Sequence, residues 1–142
     1  MWFPPSIFEL CNELKTWGVL PRFEPGHVVA RGFADLGYEE FQVLPGPKIL
    51  SLTAGTIKPL PEEHIHHFFW LPSVDESIQL LEQSGAEPLS CQRVDRRRWV
   101  ATTTHRGTSI LFEARSLYEA LLQLLLQVKQ AEHRGLSSGD RS

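Results

Sequence analysis

Histidine is the side chain in this sequence best placed to do chemistry, and three of its six copies fall within four positions: His64, His66 and His67, just after Glu62 and Glu63. In an extended segment side chains alternate, so His64 and His66 are expected on one side and His67 on the other. Two imidazoles so placed could hold a divalent metal such as zinc, with Glu62, Glu63, His27 or His105 as a further ligand. A metal-binding protein or metal-dependent hydrolase centred on His64 and His66 is therefore one reading. The competing reading is a polar linker ahead of an aromatic anchor.

Arginine forms the second constellation. Arg96, Arg97 and Arg98, with Arg93 before them and Arg106 on the next turn, could face phosphates, and Trp99 could stack on a base. The same residues suit the solvated end of a hairpin, where Asp95 offsets part of their charge. The overall balance, 14 basic against 17 acidic residues and a net charge of −3, argues against a general polyanion binder. Nucleic acid is thus the weaker alternative.

Catalytic signatures are otherwise missing. The chain has no G-x-S-x-G elbow, phosphate-binding loop, G-x-G-x-x-G or H-E-x-x-H. Cys11 and Cys91 are far apart and outside any CxxC spacing, so they read as apolar residues or free thiols. Asp35, Glu39, Glu40, Glu62 and Glu63 could pair for acid/base work but suit soluble turns equally well. No cofactor is expected beyond the metal alternative.

The elements that must position these groups are organised around residues 98–129: two strands joined by a turn, then a Leu-rich helix. Ser116-Leu117-Tyr118-Glu119 has the form of a capping box, in which the serine takes the backbone N–H three residues on and the glutamate reaches back. Leu117, Leu121, Leu124 and Val128 recur at helical spacing beside a second row of Tyr118, Leu122 and Leu125, and Leu126 and Ala120 widen the arc. Packing on one sheet face needs an apolar arc of only ~100°. An arc this wide asks for cover on a second side, from another helix or a second subunit. Phe68, Phe69, Trp70 and Leu71 pose the same question, because four successive bulky side chains of an extended chain cannot share one face. They are sandwiched between layers or they form a contact surface.

Ser6-Ile7-Phe8-Glu9 and Ser73-Val74-Asp75-Glu76 are two further capping boxes, opening helices that stop at Gly18 and Gly85. Strands are expected at 27–33, 40–44, 48–54, 87–94, 98–104 and 109–113, separated by Pro/Gly turns. The equal Ser-to-Gly spacing of the first two helices suggests pseudo-repeat halves at 6–58 and 73–131. The fold class is α+β: antiparallel sheet or sheets from two α-then-β halves, helices on one face, and the Leu-rich helix at the end. One domain over 1–135 with a disordered tail at 136–142 is expected, a length that buries on the order of 70% of the unfolded surface. The passage from strand into helix at Arg115-Ser116-Leu117-Tyr118-Glu119-Ala120-Leu121-Leu122 is similar to the end of HicB-type antitoxin domains and of some small phage domains. That resemblance implies a partner-binding role and nothing more.

No run reaches the ~20 apolar residues of a membrane span, and the start of the chain lacks a signal-peptide pattern, so a cytoplasmic protein is expected. Excess apolar surface without catalytic residues points to a non-catalytic interaction or regulatory module. It would act as a homo-oligomer or on a protein partner through Phe68, Phe69, Trp70, Leu122, Leu125 and Leu126.

Overall fold

A computed structural model describes the backbone of residues 5–33 and 37–139 and the side chains of 6–32 and 37–134. The chain divides into two compact units, Met1–Pro72 and Ser73–Ser142, each with its own antiparallel sheet.

The first unit opens with α1 (Pro5–Thr16). Proline occupies its first position, where the missing N–H costs nothing, so Ser6 lies inside the helix and does not cap it. At the other end the expected stop holds: Gly18 takes φ +96°, its N–H bonds to the Lys15 carbonyl, and that of Val19 bonds to the Leu14 carbonyl. This is a Schellman closure, in which a left-handed glycine lets two orphan carbonyls be satisfied. Strands β1 (Val28–Phe33), β2 (Gly37–Leu44), β3 (Lys48–Ser51) and β4 (Ile57–Pro59) form the meander, and β5 (Phe69–Trp70) adds to the free side of β1. The sheet order is β4-β3-β2-β1-β5.

β4 and β5 fall where no strand was expected, because neither three nor two residues can show a period. Register explains the aromatic run. Ala30 is opposite Phe69 and Val29 opposite Trp70, so neighbouring residues of β5 go to opposite faces. On one face Phe68 packs edge-on against Phe41 and Phe23, in a core with Val29, Val43 and Ile49. On the other, Phe69 meets Tyr38, which stacks on Phe8 of α1 at 4.8 Å.

The second unit runs α2 (Val74–Gln83), β6 (Ser90–Asp95), β7 (Arg98–His105), β8 (Thr108–Ala114) and α3 (Leu117–Gly139). Ser73 caps α2 with the complete box: Ser73 N–H donates to Glu76 Oε1 at 2.8 Å, and Glu76 N–H donates to Ser73 Oγ at 3.1 Å. Gly85 ends the helix as Gly18 ends α1, with bonds from Gly85 N–H to the Glu82 carbonyl and from Ala86 N–H to the Leu81 carbonyl. Ser116 Oγ accepts the Glu119 N–H at the start of α3. α3 runs on to Gly139; the tail expected at 136–142 falls on residues whose side chains, and from 140 the backbone, lie outside the described set.

The sheet order is β6-β7-β8. α3 lies on β7 and β8, and α2 packs along α3. The second cover demanded by the wide apolar arc is therefore another helix of the same chain. Ala101, Thr103 and His105 of β7 are buried on the helix side, while Val100, Thr102 and Thr104 alternate onto the other.

Candidate interaction surface

A sheet ends in strands whose outer N–H and C=O groups lack partners, and those edges invite another strand unless they are blunted. Among the described residues, three of the four sheet edges carry such protection. β4 has three residues, of which Lys58 is charged and Pro59 lacks a donor. β5 has two. β6 is exposed along all six residues but carries Arg93 and Asp95, and its ladder with β7 shifts register between them.

β8 differs on every count. It pairs with β7 through seven unbroken partners, from Trp99 opposite Ala114 to His105 opposite Thr108. It contains no proline, lysine or arginine, and its one charge, Glu113, is held by Arg98 at 3.1 Å. Thr108, Ile110, Phe112 and Ala114 share the helix side, with Ile110 and Phe112 half-buried. Ser109, Leu111 and Glu113 take the other side, and Leu111 is 61% exposed there. A regular, nearly uncharged edge with an open leucine is the geometry that accepts a further strand.

The residues singled out from sequence fall elsewhere. Phe68, Phe69 and Trp70 are buried in the first unit, and Leu122 and Leu125 are fully buried, with Leu126 half-buried, in α3. All but Leu126 are core side chains. An outward-facing contact role for those five is corrected by that burial: β5 is buried on both faces of its sheet, with α1 against it, and α2 and the sheet take up the arc of α3.

The histidine segment is also not extended. Residues Glu62–His67 form 3-10 turns that meet at a kink at His64, whose φ −118° and ψ 15° are not helical. The ring centroids of His64 and His67 are 5.7 Å apart and those of His66 and His67 4.1 Å. Both His64 and His66 thus lie beside His67, whereas alternation would set His67 apart from them. Lys15 Nζ donates to the His66 carbonyl. Crowding by His66, with desolvation, His64, Lys15 and Arg31 adding to it, holds the His67 imidazole below its usual pKa. Among the described residues no group of three or more His, Cys, Asp or Glu side chains is arranged to hold a metal ion. Of the further ligands considered, His27 is stacked on Trp70 at 5.4 Å with Nδ1 2.9 Å from the Arg22 carbonyl. His105 is buried in the second unit, its Nε2 4.0 Å from Glu132 Oε1.

No family model, curated protein or solved structure matches this chain.

The arginine run sits at the β6–β7 hairpin end. Arg98 pairs with Glu113 and, at 3.8 Å, with Asp95; Arg97 N–H donates to Asp95 Oδ1 at 2.9 Å. Arg96 and Arg97 are exposed on the turn. Beside the protected edge, an open cavity of about 560 Å³ is lined by Ile78 and Glu82 of α2, Ala86, Glu87, Pro88 and Leu89 of the following loop, and Cys91 of β6. Burial raises the Cys91 thiol above its usual pKa, which works against thiolate chemistry at neutral pH. No helix among the described residues is long and apolar enough to cross a membrane.

Leu111 was read from sequence only as part of a strand. The available signal was the unbroken triplet Ile110-Leu111-Phe112, in which a two-residue period leaves one large apolar side chain on the solvent side.

Proposed function

We propose that this chain is a non-catalytic interaction module that works by strand addition, its β8 edge accepting an extended segment of a partner. One observation carries the reading: β8 is a seven-residue edge without a bulge, proline or basic residue, with Leu111 open to solvent, while the other three edges are blunted. Main-chain bonds would supply affinity, and contacts to Leu111, Ile110 and Phe112 would supply selectivity.

Random linear peptides displayed and selected against the chain test the reading. Bound peptides are expected to slow amide exchange along residues 108–114, and Leu111→Lys, which guards the edge with a charge at an already exposed site, should weaken them about tenfold or more. Selected peptides that leave exchange at 108–114 unchanged and bind Leu111→Lys as well as wild type would overturn it.

A further inference from the structure

Resting on the strand-addition reading, we infer that the segment β8 accepts is β8 of a second copy, making one continuous six-stranded sheet across a two-fold axis. Two identical edge strands can join antiparallel about a two-fold only if the axis stands perpendicular to the sheet, which keeps each residue on its own face. The positions of every opposed pair then add to an even number, and the axis falls on a residue. β8 covers Thr108–Ala114, so a centre at Leu111 pairs all seven residues and any other centre leaves some of them without a partner.

That longest register is also the complementary one. Leu111 meets its own copy at the axis, on the side where it is 61% exposed. Ile110 meets the partner's Phe112 on the helix side, where both are half-buried and would gain cover. Ser109 meets the partner's Glu113, so the strand's only carboxylate faces a hydroxyl and not its equal. Like charges directly opposite would disfavour pairing, and apolar and hydroxyl–carboxylate pairs favour it. A centre at Glu113 would bring the two carboxylates together and reduce the ladder to three pairs. The chain's edge thus fits itself best in the arrangement that also makes the most main-chain bonds.

The register is testable by cysteine placement. Opposed residues of antiparallel strands have Cα atoms about 4.5–5.5 Å apart, within the range a disulfide spans. In a Cys91→Ser background, where the other cysteine, Cys11, is buried, Leu111→Cys should oxidise to a covalent dimer. Ser109→Cys alone and Glu113→Cys alone should remain uncrosslinked, and a mixture of the two should crosslink. Light scattering of wild type over a concentration series should show a dimer, and Leu111→Lys, folded by circular dichroism, should weaken it about tenfold or more. Should Leu111→Lys fail to fold, the Ser109→Cys and Glu113→Cys mixture carries the test alone. A wild-type chain that stays monomeric, or a dimer whose crosslinks ignore this pattern, overturns the inference. Peptides protecting 108–114 in a monomeric chain would leave strand addition standing with another partner; their absence, together with a monomer, removes both.

Discussion

Glu40 is 7% exposed on β2, opposite Ala30. Burial penalises its charged form and raises its pKa. The folded state therefore holds the proton to higher pH than the unfolded chain, and stability falls as pH rises from the ordinary carboxylate value through the raised one. Glu40→Gln should raise the melting temperature at pH 7 and lose that advantage below pH 4, measured by thermal unfolding at both values. Cys91 gives a second outcome at this scale. It is exposed while Cys11 is buried, so one thiol should react with a maleimide in the native chain and two after unfolding. Its thiol is nonetheless partly desolvated by the protein around it, which raises its pKa, so the native reaction should keep accelerating as pH rises past the range where an ordinary thiol ionises.

Among elements, the capped helices are where local rules and structure agree most closely. Gly18 and Gly85 close α1 and α2 in the same left-handed geometry, at φ +96° and +79°. Beyond its chain neighbours, no atom of the described residues lies within 4 Å of where a Cβ would stand at Gly85, so Gly85→Ala meets conformational strain without a clash and should cost about 1 kcal/mol in denaturant unfolding. β5 behaves differently. Its two residues and Phe68 before them tie both layers of the first sheet, and Phe68→Ala should cost about 3–5 kcal/mol by the same measurement. A loss below 1 kcal/mol would mean that Phe68 is not the core residue its full burial describes.

At the scale of the molecule, the wide apolar arc of α3 was the sequence's strongest hint of association, and it is spent inside the chain on α2, β7 and β8. Leu125→Ala should accordingly lower stability by about 2–5 kcal/mol without changing the oligomeric state seen by light scattering. The contact surface we propose lies instead at the end of a sheet, where unpaired backbone groups and not greasy side chains would do the recruiting. The proposed mode of action thus rests on different residues from those that first suggested it.

What the sequence determined by itself was local. Three serine-led helix starts were readable, and the structure places the serine at the cap in two of them; two glycine stops, six strands and the α+β class also followed, because caps, turns and side-chain periods act over a few neighbouring residues. Even the sandwiching of Phe68 and Phe69 was one of two outcomes that strand alternation permits. Tertiary structure alone decided that the histidine segment closes into 3-10 turns, that Ile57–Pro59 and Phe69–Trp70 join a sheet, and that α2 covers α3. It also decided which strands are left on the outside. Edge position is not a property of a strand's own residues: it follows from where the neighbouring strands pair, and β7 pairs with β6 on one flank and β8 on the other, leaving Leu111 beside an open edge.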